Sequence, residues 1–537
     1  MSWTTRSGKG ISSFVTTATK PVNKWLVAAS ISCGSAMGMI DATIVNTALP
    51  QIQGAVGATL QEVTWISTAY AIAAILLMPL VAFLGRRFGQ KRVYLICLGI
   101  FLFGSVLCGL ARTLPQLVAF RIIQGLGGGA LQPTEEAILR QTFPKSEQGM
   151  AMALSGMILM LGPAFGPVLG GYIIDHLHWS WVFFISLPVG LVGLAMTSTF
   201  VHEDASILAL NRARAAVERR NIDWAGIGLL FTCLATTELV LEEGQDRDWF
   251  DDPAIGALTF IALATLAAFV VRQLTARAPV MNLRLLKDRT FASSMLLSVG
   301  LMATLLANMF LLSVFLQQVR GFSAMQAGLA NIPMMAGMLL AMPAVGAFYE
   351  RISPRLTMGA GIALFSAGAW QVSTHVTMAL GQWDLAFPLL TEGAGLAMIF
   401  VPLETTALSK IPRHLMADAT GLSNVLKETG GAMGLALFTS VFVRHTAVSR
   451  AGVAAHVGMT NPLAAGRLAM SGDARGAALR QFSGIVTRDA AVLAYQHFFL
   501  LGGVMILALL PLLLLLGVDR GARSPDESDT IDLLETT

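Results

Sequence analysis

Stretches of roughly twenty apolar residues follow one another along the chain, at about 25–50, 63–84, 93–111, 114–139, 150–174, 179–200, 224–241, 254–271, 290–318, 325–349, 356–376, 385–408, 418–443 and 491–517. Each is long enough to cross a bilayer core of ~30 Å. A backbone in hydrocarbon must satisfy its own polar groups, so segments of this length cross as helices. The 537 residues are 55% hydrophobic and only 13% charged, with a mean hydropathy of +0.67. That is about half the charged fraction of a soluble protein, too little to solvate the surfaces of several soluble domains. The pattern predicts an all-α integral membrane protein with fourteen transmembrane helices and argues against a soluble enzyme.

The net charge of +4 and pI near 9.0 do not point to nucleic acid, because the basic residues sit in short loops between apolar blocks and form no single basic face. Their distribution reads as topology. With the N-terminus inside, the inner segments hold Arg86, Arg87, Lys91 and Arg92, then Arg140 and Lys145, then Arg212, Arg214, Arg219 and Arg220. Further on come Arg272, Arg277, Arg284, Lys287 and Arg289, and then Arg351, Arg355, Lys410 and Arg413. The short outer loops hold Arg112, Arg247 and Arg320. This positive-inside bias places both termini in the cytoplasm. Cys33, Cys97, Cys108 and Cys233 all fall within apolar blocks without a close-spaced pair, which suits apolar packing and neither a disulfide framework nor a metal site. The polar, basic start (1–24) is followed by an apolar block too long for a signal-peptide core, and reads as a retained first span.

An internal repeat divides the chain. Met78-Pro79-Leu80-Val81-Ala82 with Arg86-Arg87 reappears as Met342-Pro343-Ala344-Val345-Gly346 with Glu350-Arg351, and Gln124-Gly125-Leu126-Gly127 reappears as Glu392-Gly393-Ala394-Gly395. Gly162 and Gly166 match Gly430 and Gly434 at the same spacing as the second pair. The expected organisation is six helices, two inserted helices and six helices. It comprises a cytoplasmic N-terminus (1–24), a first half (25–200), a linker with the two inserted helices (201–289) and a second half (290–517). The second half carries a long extracytoplasmic loop at 444–490, and a cytoplasmic tail follows (518–537). Parallel repeats of this kind build carriers whose site lies between the halves near the midplane.

Here the sequence resembles a known family, the major facilitator superfamily drug:proton antiporters of the fourteen-helix kind, close to the EmrB/QacA type. The run Asp41-Ala42-Thr43-Ile44-Val45-Asn46-Thr47-Ala48-Leu49-Pro50 resembles that group's first-helix motif. Arg121-Ile122-Ile123-Gln124-Gly125 is similar to its R-x-x-Q-G motif, and Gly166-Pro167-Val168-Leu169-Gly170-Gly171, preceded by Gly162-Pro163, to its antiporter motif G-P-x-x-G-G. Trp179, Trp181, Phe183-Phe184-Ile185 and Pro188 fit the start of the sixth helix. The run from Glu243-Gly244 to Asp248-Trp249-Phe250 resembles the EmrB-like branch. The resemblance implies the major facilitator fold and proton-coupled export from a bacterial cytoplasmic (inner) membrane. In Gram-negative cells it further implies a periplasmic adaptor and an outer-membrane channel. Arg87 and Gly89, with Glu350 and Arg351 in the second copy, fall on the family's cytoplasmic gating motif. Arg86 stands where that motif has an aspartate, so the gating salt bridge does not carry over to the first copy.

The ionisable residues inside apolar blocks carry the chemical expectations, because each costs several kcal/mol unless paired or facing water. Asp41, deep in the first block, can exchange a proton between the two sides; the alternative is that it hydrogen-bonds neighbouring helices. Arg121 either pairs with a carboxylate or holds backbone carbonyls. Proton coupling is thus expected at Asp41, Arg121 and Glu392, and substrate binding at Asn46, Gln124 and Glu392, with Gly393 and Gly395 opening space beside Glu392. Glu404 reads as reaching to the cytoplasmic interface, Glu135 and Glu136 as surface residues, and Lys427 as a packing or gating residue. Gly162, Gly166, Gly170 and Gly171 with Pro163 and Pro167 are expected to form a tight, bent seam between the halves.

No G-x-x-x-x-G-K-[ST] loop, metal-ligand cluster or nucleophile elbow appears, so no enzyme activity, ATP use, cofactor or metal is expected. The 26 methionines and 28 phenylalanines suit a deformable apolar cavity. The expected function is proton-coupled multidrug efflux of small hydrophobic compounds by alternating access. An exporter dedicated to one metabolite or antibiotic, or a non-transporting membrane sensor, remains the alternative.

Overall fold

The computed structural model describes residues 23–516, apart from 145–146, 203–222, 246, 277–278, 349–351, 413–414 and 457–474. Among the described residues every regular element is helical. Ten helices are long and apolar enough, by length and composition, to cross a membrane.

The first half contains α1 (Lys24–Val56), α2 (Leu60–Leu77), α3 (Leu80–Phe88), α4 (Gln90–Leu110), α5 (Leu114–Gly128), α6 (Leu131–Thr142), α7 (Gln148–His176), α8 (Trp181–Phe184) and α9 (Ser186–Phe200). The inserted pair is α10 (Trp224–Glu243) and α11 (Pro253–Thr275). The second half contains α12 (Arg289–Val314), α13 (Ala324–Ala330), α14 (Ile332–Phe348), α15 (Pro354–His375), α16 (Ala386–Ala407), α17 (Met416–His456), α18 (Arg475–Ala508) and α19 (Leu512–Leu515).

Local chemistry sets several of these ends. Thr59 and Glu62 form a reciprocal capping box at the start of α2, Asp288 caps α12, and Asp252 caps α11 ahead of Pro253; each satisfies amides that a helix start leaves open. The apolar blocks at 63–84 and 114–139 are each two helices laid end to end. The first breaks at Pro79, which lacks an amide hydrogen, and the second after Gly127-Gly128-Gly129, where intrinsic helix propensity is lowest. Gly89 joins α3 to α4 with φ of 91°, a conformation glycine adopts without a Cβ penalty.

The repeat read from sequence recurs in the packing. In the first half α1 packs on α7, α2 on α5 and α4 on α5; in the second, α12 packs on α17, α14 on α16 and α15 on α16. The halves meet along two lines. On one side α7 packs against α13 and α14; on the other, α3 and α6 pack against α17. The inserted α10 lies against both α2 and α17. A shared apolar cluster there includes Ile75, Met78, Leu230, Leu234, Leu422 and Val425.

Two sequence expectations are corrected. The 444–490 segment is not simply a loop: α17 runs on to His456 and α18 starts at Arg475. Alanines recur through both extensions (Ala447, Ala451, Ala454, Ala455; Ala477, Ala478), and alanine is the strongest helix former. At ~1.5 Å per residue the 41-residue α17 is about 60 Å long, far more than a bilayer core needs. The glycine stripe of α7, in turn, does not line the seam between halves. A Cβ at Gly162 would meet Met39 and Ile40, one at Gly166 would meet Thr43, and one at Gly170 would meet Thr47 and the Ile44 carbonyl. All of those belong to α1, in the same half. Gly156, facing Met342 and Phe400, and Gly171, facing Met325, do look across to the second half. The stripe lets α7 approach α1 closely enough for Thr43 to donate a hydrogen bond to the Gly162 carbonyl at 3.1 Å, the use small residues serve between membrane helices. The helix continues through Pro163 and Pro167.

Gly166→Leu is therefore expected to cost ~1–3 kcal/mol by overpacking and to lower the thermal unfolding midpoint of the detergent-solubilised protein. Gly99→Leu, where a Cβ meets nothing within 4 Å, should be close to wild type. Equal midpoints for the two would remove close α1–α7 approach as a source of stability.

Candidate functional site

Asp41 and Arg121 form a buried ion pair in the first half, with Arg121 Nη1 2.6 Å from Asp41 Oδ2 and the two side chains 1% and 0% exposed. Arg121 and Gln124 are one turn apart on α5 and share a face. The guanidinium also donates to Gln124 Oε1 at 2.7 Å and, through Nε, to the Ile66 carbonyl at 3.0 Å. Gln124 Nε2 donates to Asp41 Oδ1 at 2.9 Å and to Ser105 Oγ at 2.8 Å. The Tyr70 ring lies 4.2 Å from the guanidinium carbon. Both Asp41 oxygens thus accept from planar donors, the arrangement an ionised carboxylate takes. Four helices (α1, α2, α4 and α5) meet at one charge-neutral cluster. Both readings of Arg121 hold at once, since it pairs with a carboxylate and with a backbone carbonyl.

Two expected substrate residues stand differently. Gln124 is fully buried, with its amide nitrogen donating twice and its oxygen accepting from Arg121; in this conformation it positions Asp41 and has no free donor for cargo. Asn46 does not join the cluster. It lies five residues along α1, about 140° around the helix, on an exposed position where it accepts from Ser67 Oγ at 2.7 Å.

Glu392, on α16 in the second half, is fully buried and accepts from Asn308 Nδ2 of α12 at 2.9 Å. The glycines beside it do not open a cavity. Gly393 receives the α14 backbone at Met334, and Gly395 receives the α15 backbone at Gly361 and Phe365. Asn308 was not singled out from sequence, although it falls in the second copy close to where Asp41 falls in the first.

A second charged cluster joins the halves at the end of the bundle where α1 begins. That end is marked by the Lys24–Glu147 ion pair and by Trp25 packing edge-on against Phe143 with ring centroids 5.1 Å apart. Arg140 of α6 donates to the Glu404 carbonyl of α16 at 3.0 Å. Lys427 of α17 lies 3.1 Å from Glu404 and 3.6 Å from Glu136 of α6, and Asn424 donates to Glu136 at 3.3 Å. All five side chains are buried. Glu404 and Glu136 are therefore not the interfacial groups their sequence positions suggested, because each has a cation from the opposite half or a neighbouring helix beside it. Glu135 is also buried; Ser32 of α1 and Ser155 of α7 donate to its Oε1 at 2.5 and 2.6 Å. Of the gating residues, Arg87 is half-buried with its guanidinium carbon 5.5 Å from the Phe88 ring, and Glu350 and Arg351 lie outside the described residues.

A two-half helical bundle, repeated in its packing and holding neutralised charges in its interior, defines a multi-pass membrane carrier. The Major Facilitator Superfamily family model matches residues 31–435. The multidrug export protein EmrB of Haemophilus influenzae is 31% identical over 438 residues, 82% of this chain and 84% of that protein. The EmrB of Escherichia coli strain K12 is 30% identical, covering 81% and 83% respectively. The fatty acid resistance protein FarB of Neisseria gonorrhoeae is 30% identical over 90% of this chain and 94% of that one. Among solved structures, the proton:xylose symporter XylE superposes with a TM-score of 0.57 at 14% identity, over 90% of this chain and 95% of that one, a likeness of fold. The chain belongs to the Major Facilitator Superfamily, on its EmrB-like branch, and is a membrane transporter, not an enzyme.

Removing Asp41 would leave the Arg121 charge buried and unpaired, a loss of ~3–5 kcal/mol. Asp41→Asn is expected to lower the unfolding midpoint sharply, and Arg121→Met added to it should restore part of the loss. A double variant no better than the single one would show that the pair is not energetically coupled.

Proposed function

We propose that this protein is a proton-coupled exporter of hydrophobic drugs or other toxic organic compounds in a bacterial cytoplasmic membrane. It has fourteen crossings, both termini cytoplasmic, and works by alternating access of its two six-helix halves. The observation that carries this reading is the buried Asp41–Arg121–Gln124 cluster, a titratable carboxylate held against a fixed cation. The names of the EmrB relatives support the substrate class.

In the proposed cycle the ionised Asp41 ties α1 to α5 through Arg121 and Gln124. A proton arriving from outside removes the charge Arg121 opposes, loosens that tie and favours release of cargo. Release of the proton to the cytoplasm restores the pair. The Arg140, Glu136, Glu404 and Lys427 cluster closes the cytoplasmic end, where the halves must part to admit cargo. Opening exposes these charges to water, which offsets the loss of their pairing. Each proton contributes about 2.3 kcal/mol per 100 mV and about 1.4 kcal/mol per pH unit.

The long α17 and the early start of α18 project on the extracytoplasmic side and supply a surface for a periplasmic adaptor that leads to an outer-membrane channel. The exposed Asn46 is a polar group on α1 for cargo to meet. A carrier dedicated to one compound class is the second reading, supported by the fatty acid resistance named for FarB.

Asp41→Asn is expected to abolish efflux of ethidium, used as a lipophilic probe, from energised everted vesicles that contain the variant at wild-type abundance. Undiminished efflux would remove Asp41 from the mechanism.

A further inference from the structure

The two halves place the same kind of contact at corresponding points with the partners exchanged. In the first half the acid is on the first helix of the repeat (Asp41, α1) and the amide on the fourth crossing (Gln124, α5). In the second the amide is on the first helix (Asn308, α12) and the acid on the fourth crossing (Glu392, α16). Gln124 and Glu392 are repeat partners by sequence, and Asn308 falls within one residue of the position matching Asp41. The position matching Arg121 is Leu389, which is fully buried. The second copy thus keeps the acid and the amide and lacks the cation.

That loss leaves a specific deficit. Asn308 Nδ2 donates to Glu392 Oε2 at 2.9 Å, while Glu392 Oε1 and Asn308 Oδ1 are both buried and both without a partner. An ionised carboxylate and an amide carbonyl only accept hydrogen bonds, so neither oxygen can satisfy the other, and each stays a buried acceptor without a donor. One proton resolves both, because a carboxylic acid and a primary amide close a two-hydrogen-bond ring: amide N–H to one acid oxygen, acid O–H to the amide oxygen. Among the described residues no other ionisable side chain lies beside Glu392 to supply a counter-charge. The helices packed along α16 are α7, α12, α14 and α15, and α6 and α17 reach it at Glu404 through Arg140 and Lys427. Within the described residues of the first four the ionisable groups are Tyr172, Asp175 and His176 in the last turns of α7, Arg289 on α12, and Arg355 and His375 on α15, all towards helix ends. On α16 itself Glu404 pairs with Lys427, three turns away. Asn308 is the one polar partner of Glu392.

We propose that Glu392 and Asn308 hold one proton between Glu392 Oε1 and Asn308 Oδ1, forming a neutral acid–amide ring that is a second proton site, in the half opposite Asp41. No covalent bond other than O–H forms or breaks, and the proton comes from water. This adds a second proton site to the proposed cycle, which runs through Asp41, and it rests on that reading for its role in transport; it is tested without transport, so the two readings fail separately. It gives the amide, and not an arginine, the task of positioning the acid in the second half.

The test is infrared spectroscopy of the full-length protein in lipid nanodiscs, with glutamate carboxyls labelled by carbon-13. At neutral pH the spectrum of wild type minus Glu392→Gln is expected to show the carbonyl band of a protonated carboxylic acid, at the lowered frequency of a hydrogen-bonded acid. Asn308→Leu carries the same test with the acid intact: the band should move to higher frequency as its acceptor is lost, or give way to a carboxylate band. Asp41→Asn should leave it in place. A carboxylate band from Glu392 in wild type at neutral pH would overturn the proposal. So would an acid band indifferent to Asn308→Leu, since the proton would then not be shared with the amide.

Discussion

A charge inside hydrocarbon must find an opposite charge or be neutralised by gaining or losing a proton, and that constraint orders the interior of this protein. Asp41 and Arg121 answer each other within the first half; Arg140, Glu136, Glu404 and Lys427 answer one another across the halves. The first cluster ties four helices of one half. The second is a polar contact between the halves, formed where α6 meets α16 and α17. Because buried pairs gain little net stability over apolar packing, their presence here fits a structure that must have more than one arrangement better than one built for stability alone.

Much of this was legible from sequence. Blocks of apolar residues gave the helical class, and the two Met-Pro runs and the Gln124/Glu392 correspondence gave a two-half repeat that the helix pairings reproduce. Asp41, Arg121 and Gln124 were all marked as site residues, and they meet. Pairings between distant helices were not legible. Nothing local tells that Tyr70 lies against Arg121 or that Ser105 accepts from Gln124, and Glu404 looked interfacial because Lys427, 23 residues on, becomes its neighbour only after folding. The glycines of α7 were read correctly as a close-packing stripe and assigned to the wrong neighbour. A stripe on one helix states how near a partner comes, not which partner it is.

The two halves share a topology and differ in chemistry. Arg121 and Leu389 occupy matching positions, and that one exchange separates an acid whose oxygens are fully engaged from an acid that leaves an oxygen bare. Duplication supplies the same frame twice; exchange of acid and amide, with leucine in place of arginine, gives the two copies different polar chemistry.

The inserted α10 touches both halves through side chains as well as packing. Thr68 of α2 donates to Glu242 at 3.1 Å, and Ser440 of α17 donates to Gln245, just beyond the helix end, at 2.8 Å. Both fastenings lie at one end of the helix, three residues apart, so any change in how the halves sit there would have to carry that end along or release one of them. The inserted α10 is thereby a brace across the two halves and not merely a spacer in the chain.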